Sequence, residues 1–368
     1  MPDQGDILRA CENMLIRCAG LAPGARVLII REPPEEMFYW DCAVEAVQWG
    51  ATALGFQVDV LEVPFTPAAC LPPKDLIEAM RVVDLTVFLA RCGDQIRYHD
   101  WPAGTRAMIC YALDGAMLGS SFGWLDHHGM VAIRDAADTA IAAAQEIHVT
   151  CPAGTELIGR IDAQGPEPRD TTTIRFPLSV HTPVPARHFS GRVAQRGFLV
   201  GTGSNYYEPY SLGLEETLVL EIRDGRIVGF AGNTADVARA EAHYAHVAGL
   251  FEIDAHFVHS WHAGIHPGCA FAPDARLAPE RWSNGAFGSP RILHVHSCGA
   301  YAPGEISLNV LDPTVRLDGV AIWEHGRLRP ELLPGGPEIL RAYPELAEAY
   351  RDPAQHCGFA GVETSGTA

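Results

Sequence analysis

Six histidines fall between residues 256 and 296: His256, His259, His262, His266, His294 and His296. A neutral imidazole nitrogen is a good donor to zinc, iron, copper and nickel at physiological pH, so such a crowd points first to a metal site. In His256-Phe-Val-His259-Ser-Trp-His262-Ala-Gly-Ile-His266-Pro-Gly268 the rings recur every three or four residues, the spacing that gathers side chains on one face of a helix. Gly264 and Pro267 argue against a long helix, and a short turn feeding a loop is the expectation. Leu293-His294-Val295-His296 alternates apolar residues with histidines, which predicts a strand carrying both rings on one face. Metal ligands are therefore sought among His259, His262, His266, His294 and His296. Any one of them could equally be a hydrogen-bonded core histidine; the cluster is stronger evidence than its members.

Neighbouring residues narrow the chemistry. His262 and His266 have the separation of the two histidines in a zincin helix, but the general-base glutamate of H-E-x-x-H is absent, which disfavours an ordinary zinc peptidase. Cys269 and Cys298 lie beside the histidines and could act as thiolate ligands, although neither has a spaced partner. The ten cysteines show no Cys-x-x-Cys spacing and read as reduced, buried side chains. No Gly-x-Gly-x-x-Gly turn, phosphate loop or Gly-x-Ser-x-Gly elbow is present to support nucleotide binding or a serine nucleophile.

The elements that must position the histidines follow from the patterning. Helical rhythm over residues 7–19, 42–54 and 74–82 alternates with strand signals at 26–30, 57–63, 85–89 and 106–110, which implies parallel crossover units and an open α/β sheet. After a helix at 136–146 the texture changes to short strands at 172–176, 197–200, 217–222 and 226–230, separated by Pro and Gly. Asp224-Gly225, Asp318-Gly319 and His325-Gly326 mark tight turns, a helix is expected at 235–250, and a last one at 337–350. The expected fold class is an N-terminal open α/β domain, residues 1–150, followed by a mainly β C-terminal domain, residues 151–368, that carries the metal site and ends in a helix.

Composition limits the partners. With 368 residues and 48% hydrophobic content the chain can bury a sizeable core. The 27 basic against 45 acidic residues give a formal charge of -18, which repels nucleic acid and anionic membranes. An acidic start and the lack of a long apolar run predict a cytoplasmic protein without a signal peptide or membrane span. The exposed α/β layer is compatible with a homo-oligomer, and the expected partner is a small-molecule substrate.

Three stretches carry a resemblance: Glu146-Ile-His-Val-Thr-Cys-Pro-Ala-Gly-Thr-Glu156, Leu218-Val-Leu-Glu-Ile-Arg-Asp-Gly-Arg-Ile-Val-Gly229 and the Leu317-Asp-Gly319 turn. With the order of elements, they make the chain resemble the superfamily of aminopeptidase T metallopeptidases and 2,5-dihydroxypyridine 5,6-dioxygenases, from the first strand to His325, and the dioxygenase branch more closely. The resemblance implies a mononuclear Fe(II) held in the second domain by two histidines and an aspartate. One family histidine precedes a Gly-x-x-Pro segment, matched here by Gly264-Ile-His-Pro267, which makes His259 or His262 its counterpart. The family's other ligands form a His-x-Asp pair on a late strand, where this chain reads Ser307-Leu-Asn309. Serine and asparagine are poor ligands for Fe(II) or Zn, so either the metal has moved towards His294 and His296 or the site has lost it. The excess of histidines favours relocation.

Three functions follow as expectations. The first is a non-haem Fe(II) dioxygenase of aromatic catabolism that opens the ring of a small hydroxylated aromatic or N-heterocyclic acid. In it Asn309 and Tyr207 would bind substrate; the stretch from Tyr206 and Tyr207 to Tyr210 could line an aromatic cleft or be an interface strand, and Arg91 or Arg106 could contact a carboxylate or simply lie on the surface. The second is a Zn hydrolase of a small amide or lactone, with Glu305 or Glu208 as general base. The third is a non-catalytic binding protein. His127-His128 reads as a solvated loop.

Overall fold

The computed structural model describes residues 3–36, 38–67, 71–161, 171–201, 205–299 and 303–359. Two compact units make up the chain, Met1–Val131 with Arg169–Ser179, and Ala132–Pro168 with Val180–Ala368.

The first unit is built on a parallel five-stranded sheet, in the order Gln57–Glu62, Arg26–Arg31, Leu85–Leu89, Ala107–Cys110 and Ile174–Phe176. The uninterrupted apolar runs become the interior strands: Leu85–Leu89 and Ala107–Cys110 are buried throughout, as a sheet covered on both faces requires. Gln57–Glu62, at the edge, is mostly exposed and carries Asp59 and Glu62. Helices Gln4–Glu12, Asp41–Ala53 and Lys74–Met80 supply the crossover and covering segments. Asp3 caps the first of them by accepting from the backbone N–H of Gly5 and Asp6. The segment Ile174–Phe176, expected among the short strands of the second domain, instead extends this sheet beside Ala107–Cys110.

In the second unit the strands of the two sheets pair antiparallel among the described residues. An eight-stranded sheet runs Arg226–Ala231, Leu218–Arg223, Ser190–Gln195, Glu156–Gly159, Ile147–Thr150, Thr314–Leu317, Val320–Glu324, Arg327–Leu328. Ile147–Thr150, read from sequence as the end of the first domain, sits in the middle of it. The Asp-Gly and His-Gly signals are two-residue turns, with positive φ at Asp224 and Gly225, Asp318 and Gly319, and His325 and Gly326. Such angles give a hairpin turn the twist of its flanking strands.

The second sheet has six strands, ordered Ser211–Gly213, Phe198–Gly201, Glu305–Leu311, Ile292–Cys298, Val258–Ala263, Val184–Pro185. Its three central strands contain His259, His262, His294, His296, Glu305, Ser307 and Asn309. The histidine run is thus a β-strand over Val258–Ala263, not the turn and loop expected from its three- and four-residue spacing. Burial decides the matter: four consecutive residues, Ser260 to Ala263, are enclosed between neighbouring strands, and Gly264 and Pro267 come only after the strand ends. A bulge between Val258 and Ser260 breaks the register near His259.

Two helical expectations also change. His127-His128 lies in the first turn of a helix, His127–Ala143, because the Asp126 carboxylate accepts from the backbone N–H of His128 and Gly129. The C-terminal helix is two, Gly336–Ala342 and Pro344–Arg351. Proline disfavours a helical conformation in the residue before it, and Tyr343 is accordingly non-helical.

Candidate metal centre

Cross-strand register builds the site. His262 stands opposite His294, and His294 opposite Asn309; one step along, Ser260 stands opposite His296, and His296 opposite Ser307. Directly opposed residues share a sheet face, and so do residues two apart on one strand, so these six side chains occupy the same face.

Within this patch His262, His294 and His296 converge. One donor atom from each lies within 4.8 Å of the other two, and all three side chains are buried. The ring centroids of His262 and His294 are 3.9 Å apart, with His296 5.0 Å from the first and 4.9 Å from the second. Phe287 stacks on the His294 ring at 4.2 Å, giving the group an apolar side. Among the described residues this is the group of histidine, cysteine and carboxylate side chains with the spacing of a metal site.

Hydrogen bonding sets the state of the rings. His262 Nδ1 lies 3.2 Å from the backbone carbonyl oxygen of His181. A carbonyl only accepts, so Nδ1 carries the proton and Nε2 keeps the lone pair. Nε2 is buried, with no hydrogen-bond partner among the described residues. Burial holds the His262 pKa well below its usual value, reinforced by His294 and His296 beside it, so the ring is neutral. A buried neutral imidazole with a vacant lone pair, facing two more imidazoles, fits a divalent transition metal. His181 itself is fully buried: its Nδ1 donates to the Thr182 carbonyl at 2.7 Å, and its Nε2 accepts from the Ala263 N–H at 3.0 Å. Thr182 in turn donates, through N–H and hydroxyl, to Asp138.

His296 is oriented differently. Its Nδ1 contacts Oε1 of Glu305, whose carboxylate is buried at the start of the neighbouring strand. The contact lacks hydrogen-bond geometry, so what Glu305 brings to the ring is its negative charge, set behind the imidazole as carboxylates often stand behind ligating histidines. Glu305 therefore is not the exposed turn carboxylate that Pro303-Gly304 suggests.

The remaining candidates fall outside the group of converging donors. His259 is half-buried, its Nδ1 2.8 Å from Ser260 Oγ. His266 is fully buried and accepts from the Gly268 N–H at Nδ1; burial pushes its pKa down to about 3. Cys269 donates to the Gly285 carbonyl, and burial raises its pKa; that of Cys298 is pushed up to about 12, so both remain thiols near neutral pH. Glu208 accepts from Asn205 Nδ2 at 2.7 Å and is exposed. Tyr206, Tyr207 and Tyr210 are buried, with the Tyr207 hydroxyl donating to the Glu305 carbonyl and the Tyr210 hydroxyl to that of Gly201. Tyr207 thus braces the strand that carries Glu305, and Tyr210 the neighbouring strand Phe198–Gly201. In the first unit, Arg91 binds Glu32 and Glu36, and Arg106 reaches the Ala19 carbonyl.

His181, absent from the sequence-based candidates, lies 81 residues before His262 in a Pro-flanked stretch with no spacing to mark it.

Among solved structures the chain is similar to 2,5-dihydroxypyridine dioxygenase from Pseudomonas putida KT2440, with a TM-score of 0.57 and 15% identity over 89% of this chain and 98% of that one. The two share a fold. A further similarity, to AmpT from Thermus thermophilus, has a TM-score of 0.43 and 12% identity over 88% and 99% of the two chains. No family model matches the sequence, and no curated protein does. Within this fold the three-histidine group has the spacing to hold a metal ion. Among the described residues no helix is long and apolar enough to cross a membrane.

Proposed function

We propose that this protein is a mononuclear non-haem iron enzyme that opens the ring of a small hydroxylated aromatic or N-heterocyclic acid. The observation that carries the reading is the buried convergence of His262, His294 and His296, with the His262 lone pair left vacant by the hydrogen bond to His181. Ferrous iron supplies the one-electron chemistry by which O2 reacts with an aromatic ring. His262 is presented as a neutral donor, and Glu305 sets its negative charge behind the ring of His296. Phe287 shields one flank of His294, so solvent is excluded on that side. Likeness in fold to a dihydroxypyridine dioxygenase supports the substrate class.

A Zn hydrolase of a small amide or lactone is the second reading, favoured by the donor set itself, since three histidines with an open position also make a catalytic zinc site. Glu305 would not act as its general base while it pairs with His296.

The deciding experiment is metal analysis of protein purified anaerobically, beside oxygen uptake with 2,5-dihydroxypyridine and related hydroxypyridine acids. About one iron per chain with oxygen consumption supports the dioxygenase. One zinc and no oxygen uptake shifts the reading to the hydrolase, and no metal at all overturns both.

A further inference from the structure

Asn309 stands opposite His294 on the sheet face that carries the three histidines, and its side chain is 2% exposed. Its Oδ1 accepts from the Ser307 hydroxyl at 3.1 Å, which turns the amide so that Nδ2 points away from Ser307. Its backbone N–H is bound separately, by Gln195 Oε1 at 2.5 Å. Nδ2 carries two N–H donors and, although buried, makes no hydrogen bond among the described residues. A buried amide donor left unpaired is unfavourable, and such groups in folded proteins are usually completed by something that binds. An amide N–H cannot ligate a metal. What accepts these protons is an oxygen, of ordered water in the free protein and of the ligand when one is bound.

Charge narrows the class. The described donor group contains no carboxylate, so its three imidazoles bring no negative charge of their own to a divalent cation. Glu305, paired with His296, sets one negative charge behind the group, and the second comes with the ligand. We infer that Asn309 is a specificity-determining residue that donates from Nδ2 to an anionic oxygen of the ligand held beside His294, such as a phenolate or carboxylate, with Ser307 as its positioning residue. The inference rests on the metal-enzyme reading above and names what that site selects.

The test uses full-length protein loaded with Co(II), whose visible bands report ligand binding, titrated with salicylate as a chelating oxygen anion and with imidazole as a neutral nitrogen ligand that cannot accept from Nδ2. Asn309→Ala is expected to weaken salicylate by about tenfold to a hundredfold and to leave imidazole within about twofold. Asn309→Asp, which replaces the donor with a charged acceptor, is expected to weaken salicylate more than Asn309→Ala does. Ser307→Ala is expected to give a smaller loss of the same kind. Equal loss for both probes, or no loss for salicylate, overturns the inference while leaving the metal site standing. Failure of wild-type protein to bind Co(II) overturns the metal reading and the inference with it. As a measurement independent of the stability of the variants, wild-type Zn(II) protein labelled with 15N-asparagine should show the Asn309 side-chain amide proton moving downfield with salicylate and not with imidazole; an unmoved resonance overturns the inference.

Discussion

His262 donates from Nδ1 to the main-chain carbonyl of His181, and this contact decides which nitrogen of His262 is left to bind. Because the acceptor is backbone, the tautomer depends on where the chain runs and not on the His181 side chain. The imidazole of His181 serves a separate purpose, since it accepts the Ala263 N–H and packs edge-on against Trp261 at 5.8 Å and tilted against Trp323 at 5.5 Å.

That division of labour separates stability from metal binding in a His181→Ala variant. The Ala263 N–H loses its acceptor and the two tryptophans lose a neighbour, so unfolding free energy is expected to fall by about 3 kcal/mol. The carbonyl that holds His262 remains, and metal stoichiometry is expected to stay unchanged. Urea unfolding and metal analysis on the same preparation check both; loss of metal without loss of stability would contradict the assignment.

Glu305→Gln should do the reverse. The amide keeps the size of the side chain but removes the charge beside His296 Nδ1, and loss of such a carboxylate weakens metal binding by about tenfold to a hundredfold. Chelator competition measures the affinity, and the melting temperature of the metal-free form is expected to change little. An unchanged affinity would mean that the Glu305 charge adds nothing to metal binding.

The parts of this arrangement readable from sequence are those with local cause. The alternation in Leu293-His-Val-His296 places both rings on one face, and the Asp-Gly turns form where the chain needs positive φ. The Val258–Ala263 strand is hidden in the sequence because its histidines also fit helical spacing; only burial between two other strands tells the periods apart. His181 and the return of Ile174–Phe176 to the parallel sheet depend on contacts between segments far apart in the chain, for which residue spacing carries no signal.

Gly264 tests how closely the chain must approach itself at the end of the first histidine strand. A Cβ there would lie 2.1 Å from the Ser289 carbonyl oxygen, and the Gly264 carbonyl accepts from Trp323 Nε1 at 2.9 Å. Backbone atoms cannot step aside as a flexible side chain can, so Gly264→Ala is expected to destabilise by about 3 kcal/mol and to reduce metal binding through displacement of His262. Chemical denaturation with metal analysis checks this; a variant as stable as wild type would show that the loop from Gly264 yields freely.

The buried histidines also make the metal-free protein sensitive to mild acid. Burial is the leading cause of the lowered pKa in His181, His262, His243 and His266, and it brings His243 to about 4 and His266 to about 3. In the unfolded chain each titrates near about 6.5. Below that value the unfolded state takes up protons that the native state refuses, so stability is full above it and falls with pH until the native rings also titrate. Each such histidine contributes a slope of up to about 1.4 kcal/mol per pH unit. The carboxylates whose pKa is lowered, Asp236 and Asp254, start from 3.8 and act below this window, so a loss between pH 6.5 and 5 belongs to the histidines. Urea midpoints of chelator-treated protein across that range should fall steadily, and His243→Gln, which leaves the converging donors intact, should flatten the slope by about one proton. A midpoint unchanged from pH 6.5 to 5 would mean that these rings are hydrated in solution and not buried as the structure has them.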